Sequence, residues 1–297
     1  MSTVETRATA PAKVNLTLRV LRRREDGFHE LDGVMARLDL ADTLTCAEAA
    51  VDDDAGSATD RLERIASGDD PWLDAILLPV DGDNLVLRAT RAYRSAALGA
   101  GVAVPPLRWR LTKRVPIAAG LGGGSSDAAA ALRGLATRYP AGIDLPALAA
   151  SLGSDVPFFL EAAAAARARG RGERLEPWPV PPQPLVLVNP GVAVSAADAY
   201  RWWRPGRAAE ARTAPWWAGP EVANDLEAGV AANVPEVAAT LERMRSLYDG
   251  PVAMSGSGAT CFALTSDDAT AAALSETLRE ALPATTWIAR TRLAERA

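Results

Sequence analysis

The chain has 297 residues, 48% of them hydrophobic, and a formal net charge of −5, a length that favours two domains or one large one. No apolar run approaches the roughly 18 residues a membrane span needs, and the acidic balance argues against a general nucleic-acid binder. Lysine occurs only at Lys13 and Lys113 and histidine only at His29, which excludes a multi-histidine metal site and leaves a serine triad only His29 to run through.

The N-terminal residues lack the apolar core of a secretory signal, and the widely spaced Cys46 and Cys261 make no disulfide framework, so a reducing, cytoplasmic location is expected. "AKVNLTLRVL" alternates Val14, Leu16, Leu18 and Val20 with Lys13, Asn15, Thr17 and Arg19, the period of a half-buried strand, which puts Lys13 and Asn15 on one face. Asp26-Gly27 signals a turn, with Phe28 and His29 beyond it. Further strand-like residues follow around "LDLADTLTC". The acidic stretch 52–71 reads as a surface excursion with little fixed structure.

A helix is expected over 83–97, capped by Asp83 or Asn84, with Leu85, Ala89 and Ala96 on its buried face. "LRWRLTKRV" returns to strand alternation, and "VPIAAGLGGGSSDAAAAL" follows it directly. The serines of that stretch can cap a helix whose stripe is Ala128, Leu132, Leu135 and Tyr139. "LPALAASL" reads as another helix ending at Gly153. The arginine- and proline-rich 167–184 suggests a domain junction. Beyond it come a strand at "PLVLVNPG", a helix opened by Ser195 and Asp198, and alternating helices and strands, in an α+β order. The tryptophans at 202, 203, 216 and 217 read as packing residues.

The glycine stretch fits neither familiar phosphate template. Ser125 and Ser126 follow Gly124 where a P-loop needs lysine, and Ser125 stands where the dinucleotide pattern needs glycine. The physics of a phosphate cradle remains, because glycines let backbone N–H groups turn toward an anion and a helix N-terminus adds donors.

With "APAKVNLTL", "DGFHEL", "DNLVLRA", "KRVPIAAGLGGGSSDAAAAL", "SLGSDVPFFL", "NPGVAVSAADAY", "NDLE" and "MSGSGATCFAL" in order along nearly the whole chain, the sequence resembles the GHMP small-molecule kinases. The resemblance implies a two-domain α+β fold, with an N-terminal ATP-binding α/β domain over 1–166 and a C-terminal ferredoxin-like α+β domain over 167–297. It implies ATP and Mg2+ as cofactors, a cytidylated methylerythritol as small-molecule acceptor, no nucleic-acid or membrane partner, and a monomer or weak homodimer.

The resemblance also places roles. Lys13 and Asp155 fall on the catalytic pair. An aspartate is too weak a base to ionise an alcohol beforehand, so it accepts the proton late, while lysine stabilises developing negative charge. On its own position Asp155 also reads as a turn or helix cap after Gly153. Ile117, Ala118, Ala119, Gly120, Leu121, Gly122, Gly123, Gly124, Ser125, Ser126 and Asp127 would hold the ATP phosphates, with Ser125 or Ser126 toward Mg2+. Ala118 and Ala119 stand where relatives often carry glycine, and alanine resists positive φ, so close approach is expected at Gly120–Gly124. Lys113 reads as a solvated charge. Phe28, where many members have tyrosine, and Tyr200 would sandwich the cytosine, with His29 hydrogen-bonding its edge and Asn15 placing the methylerythritol. The segment 255–260, "SGSGAT", would bring glycine backbone near the substrate phosphates.

Overall fold

The computed structural model describes residues 6–49, 59–205 and 222–295. Residues 52–58 of the expected acidic excursion and the tryptophans at 216 and 217 lie outside the described residues. Among the described residues no helix is long and apolar enough to cross a membrane. The chain forms two compact units that are not consecutive halves. One draws on Met1–Ala12, Ala41–Ile117 and Gly123–Glu161, and the other on Lys13–Leu40, Ala118–Gly122 and Ala162–Ala297.

Two long strands, β1 (Thr6–Arg23) and β2 (His29–Glu48), contribute residues to each unit. In the first unit, β3 (Arg61–Ile65) pairs in parallel with β4 (Leu107–Thr112), and β4 pairs antiparallel with the Thr43–Glu48 end of β2. The strand β3 lies inside the stretch expected to lack fixed structure. Polar contacts hold it there: the Asp60 carboxylate pairs with Arg94 and accepts the Leu107 N–H at 3.0 Å, and Arg64 donates to the carbonyls of Leu73, Asp74 and Ile76 around the short helix α1 (Pro71–Asp74).

Helix α2 (Leu85–Gly99) is capped by Asn84, whose Oδ1 accepts the Val86 N–H at 2.9 Å. Its buried face is Val86, Ala89, Tyr93 and Ala97, one position along from the expected Leu85 and Ala96. Helix α3 (Gly123–Arg138) buries Ala128 through Leu132 as well as Leu135, so it is enclosed on more than one stripe; the small alanines permit that. The helix α4 (Leu145–Leu152), capped by Asp144, and a 3-10 turn at Pro157–Leu160 complete the unit.

In the second unit, Leu31–Ala36 of β2 pairs antiparallel with β5 (Ala165–Gly170), which pairs with β6 (Arg174–Pro177). The expected junction 167–184 therefore carries most of a hairpin. An antiparallel four-stranded sheet has the order β11 (Trp287–Arg292), β7 (Pro184–Asn189), β10 (Cys261–Leu264) and β9 (Val252–Met254). With it lie α5 (Ala196–Trp202), the two-residue β8 (Ala223–Asn224) paired in parallel with β1, α6 (Glu227–Asn233), α7 (Pro235–Leu247) and α8 (Asp268–Ala281). Leu18, Val20, Val186, Val188, Leu241, Met244, Met254 and Leu278 share its core.

Candidate active site

Period-two alternation puts Lys13, Asn15 and Thr17 on one face of β1, yet all three are at most 6% exposed. The strand is thus buried on both faces over this stretch, where the sequence pattern predicts burial on one. Within the second unit its polar face is covered by two segments far away in sequence. The Asn15 N–H donates to Ser255 Oγ across 240 residues, at 3.2 Å, and the Lys13 N–H donates to the Leu121 carbonyl at 2.9 Å. Lys13 Nζ donates to Asn15 Oδ1. Gly256 has φ 55°, which favours glycine, and a Cβ there would fall 3.1 Å from Lys13 Nζ and 3.2 Å from Asn15 Oδ1, so a side chain would crowd the ammonium.

The loop residues 118–122 belong to the same unit. Ala118 adopts φ 51°, a left-handed conformation expected only at the glycines. Surrounding contacts over-determine it: the Ala119 carbonyl accepts the Thr260 N–H at 3.2 Å, and the Gly120 carbonyl accepts Ser255 Oγ–H at 3.0 Å. Gly120 combines φ 75° with a Cβ direction that runs into the Ser255 carbonyl and within 3.0 Å of the Gly258 nitrogen. Gly120→Ala is therefore expected to lower stability by about 1–3 kcal/mol, read as an earlier denaturant midpoint; an unchanged midpoint would contradict this packing.

The loop's continuation opens α3 in the first unit. Gly124 is exposed and Ser125 half-buried, whereas Ser126 is wholly buried and its Oγ has no hydrogen-bond partner among the described residues. The first N–H groups of a helix lack partners within it, so Gly124 and Ser125 offer donors and a hydroxyl of the kind an anion requires. Of the two serines proposed for the metal, Ser125 is the more accessible. Among the described residues no cluster of three or more His, Cys, Asp or Glu could hold a metal ion. That donor set suits Mg2+, which is commonly held by few protein oxygens together with substrate phosphates.

Lys113 is not a solvated charge. It is 4% exposed, donates to Asp42, and donates to Asp127 at 3.0 Å. Asp42 also accepts the backbone N–H groups of Arg114 and Val115, at 2.5 and 2.9 Å. A Cβ on Gly123 would meet Lys113 Nζ at 3.2 Å and Val115 Cγ1 at 3.1 Å. The trio thus ties the end of β4 to the first turn of α3. Burial, reinforced by Asp42, pushes the Asp127 carboxyl up to about 7 against the pull of Lys113. The side chain of Asp127 is therefore engaged with Lys113, away from the phosphate role assigned to it. Asp155 lies half-buried in the turn between α4 and the 3-10 turn, where the Val156 N–H donates to the Gly153 carbonyl at 3.2 Å.

At the far end of β1, the Asp26-Gly27 turn has Gly27 at φ 85°, and Asp26 Oδ1 accepts the Phe28 N–H at 3.1 Å. Phe28 is 50% exposed, with the Arg171 guanidinium 4.7 Å from its ring centroid. The ring stacked on Tyr200 is that of His29, at 4.9 Å and 20° between planes, and Trp203 meets His29 edge-on at 5.6 Å. His29, expected at the edge of a base, thus occupies a face of Tyr200 expected to stack on one. Burial, with Arg23 nearby, holds the His29 imidazole below its ordinary pKa, which favours the neutral ring.

Sequence reasoning gave no individual role to Asp42, to Ser255, named only within 255–260, or to Asn224. Asn224 Nδ2 donates to the carbonyls of Met254 and Gly256, both at 2.7 Å, and its Oδ1 accepts the Leu226 N–H. The "NDLE" run was the only signal for it.

Residues 84–162 match the family described as GHMP kinases N terminal domain, and residues 206–284 match GHMP kinases C terminal. The chain is 46% identical to the 4-diphosphocytidyl-2-C-methyl-D-erythritol kinase of Deinococcus radiodurans, covering 92% of this chain and 89% of the relative. It is 41% identical to the protein of the same name from Rhodopseudomonas palustris, over 95% of each chain. Among solved structures, a 4-(cytidine 5'-diphospho)-2C-methyl-D-erythritol kinase superposes with a TM-score of 0.73 at 38% identity, over 97% of this chain and 100% of that one. Homoserine kinase from Cytophaga hutchinsonii superposes with a TM-score of 0.69 at 16% identity, over 100% of this chain and 98% of that one, a likeness of fold.

Proposed function

We propose that this chain, which belongs to the GHMP kinases and within them to the 4-diphosphocytidyl-2-C-methyl-D-erythritol kinases, transfers the γ-phosphoryl group of ATP to the C2 hydroxyl of 4-diphosphocytidyl-2-C-methyl-D-erythritol. The product is the 2-phosphate, in the non-mevalonate route to isoprenoid precursors. The observation that carries the choice of acceptor is the aromatic group at the end of β1. A flat heterocycle, the His29 imidazole, already lies on Tyr200 at stacking distance with Phe28 exposed beside it in sequence. Rings that accept an imidazole can accept a pyrimidine, and homoserine, mevalonate and sugars have no base to offer them.

When bound, ATP supplies the phosphoryl group and Mg2+ neutralises its charge. The residues do the positioning. Backbone N–H groups of 118–124 and the Ser125 hydroxyl bind the phosphates; Ser126 and Asp127 support that turn from the buried side. Lys13, its ammonium oriented by Asn15, stabilises the negative charge that develops at the acceptor oxygen. Asp155 takes the hydroxyl proton as the new bond forms. His29 and Tyr200 open to admit the cytosine, whose edge His29 then hydrogen-bonds. The enzyme acts in the cytoplasm as a monomer or weak homodimer.

The test is ADP release with the cytidylated methylerythritol set against mevalonate, homoserine and galactose. Turnover is expected with the first alone, and turnover with a base-free acceptor in its place overturns the specificity.

A further inference from the structure

In the second unit, the groups proposed to carry chemistry are joined through a side chain that has no part in it. Ser255 is wholly buried. Its single hydroxyl accepts the Asn15 N–H at 3.2 Å and donates to the Gly120 carbonyl at 3.0 Å. Its backbone is engaged as well: its N–H donates to the Thr260 carbonyl and its carbonyl accepts the Gly258 N–H, both at 2.9 Å. On one side the Ala119 and Leu121 carbonyls accept from Thr260 and Lys13, and on the other Asn224 grips the carbonyls of Met254 and Gly256. Every bond here is buried or part-buried, where an unmade bond costs more than a made one gains.

We infer that Ser255 is a positioning residue that links the loop 118–122 to the Lys13–Asn15 stretch of β1, so that a ligand engaging the loop also fixes the lysine. The physical argument is one of shared hydrogen bonds. An anion drawing the loop's N–H groups toward itself polarises the carbonyls on the same peptide planes. The Gly120 carbonyl then holds Ser255 Oγ–H more firmly, which orients the oxygen lone pairs on the Asn15 N–H. Asn15 in turn holds Lys13 Nζ. An ordinary buried serine would satisfy local backbone only; this one bonds two segments far apart in sequence, and its own backbone lies so close to the loop that a Cβ at Gly120 would run into the Ser255 carbonyl.

The inference rests on the proposed nucleotide role of the loop, and the experiment separates the two. Amide hydrogen exchange is measured on the full chain, with and without a non-hydrolysable ATP analogue and Mg2+, for the native protein, Ser255→Ala and Ser255→Cys. In the native protein the analogue is expected to slow exchange at Lys13 and Asn15 as well as over 118–126. In Ser255→Ala the slowing persists over 118–126 and at Lys13, whose N–H donates directly to the Leu121 carbonyl, and is lost at Asn15, whose N–H donates to Ser255 Oγ, while kcat falls roughly tenfold and KM for ATP stays within about twofold, as the loss of one buried hydrogen bond predicts. Ser255→Cys keeps the volume and a weak donor, so it falls between the two and serves if the alanine variant does not fold. Slowing at 118–126 without slowing at Asn15 in the native protein overturns the inference and leaves the nucleotide reading standing. Equal slowing at Asn15 in native and variant proteins also overturns it. No slowing over 118–126 sinks the nucleotide reading, and the inference with it.

Discussion

Asp155→Asn is expected to bind ATP nearly as well as the native protein and to turn over about 10²–10⁴-fold more slowly, the range a positioned general base contributes. Asparagine matches aspartate in size and can keep the hydrogen bonds of a turn, so the variant separates the two roles that a residue just after Gly153 can have. A capping residue would lose stability and little activity; a proton acceptor would lose activity and little stability. The substitution removes the basic oxygen without removing the side chain, so the acceptor hydroxyl must give its proton to water or to a phosphoryl oxygen. ADP release under saturating substrates, alongside calorimetric binding of an ATP analogue, reads both quantities. Native turnover in the variant would remove Asp155 from the mechanism.

The common face of Lys13 and Asn15 was legible because period-two alternation is local. That this face is buried was not, because the groups covering it come from Leu121 and from Ser255, which is 240 residues away. Lys113 is the instructive case. The alternation that buries Leu107, Trp109 and Leu111 extends by parity to Lys113, so its inward direction was readable. Its partners were not, since Asp42 lies 71 residues away on another strand and Asp127 a loop away on a helix. A rare lysine in phase with a buried face needs a buried counter-charge, and that rule would have led to the aspartates. Positive φ at Ala118 runs against its intrinsic preference, and only the tertiary hydrogen bonds to 255–260 account for it. The units break after Glu161, and the second also claims 13–40 and 118–122, an interleaving that an expectation of two consecutive segments does not contain. Two segments interleaved with the other unit leave no composition signal, because nothing in a continuous strand such as β1 marks where its packing partners change.

Lys113→Met is expected to cost about 3–5 kcal/mol of stability at neutral pH, since removing one partner of a buried ion pair strands the other's charge. Here two carboxylates are stranded, and the loss has a pH signature. Burial alone pulls the Lys113 ammonium down, but Asp127 and Asp42 outweigh it and hold it up at about 12, against an ordinary 10.5. Its contribution is thus complete below 10.5 and fades only as pH rises through about 12. Asp127 is also raised, from 3.8 to about 7, so its proton binds more tightly in the folded state. That contribution is complete below 3.8 and is lost as pH rises through about 7. Without the ammonium, which pulls the Asp127 pKa down, Asp127 holds its proton more tightly still. The deficit of Lys113→Met should therefore be larger at pH 8 than at pH 5, read as the difference in urea midpoint from the native protein at each pH. Asp127→Asn works the other way. It leaves one lysine facing one aspartate, so it should lose little at pH 8 and should flatten the native protein's decline in stability between pH 4 and 7. A Lys113→Met deficit equal at pH 5 and pH 8 would mean that the missing volume, and not the stranded charge, is what destabilises the first turn of α3.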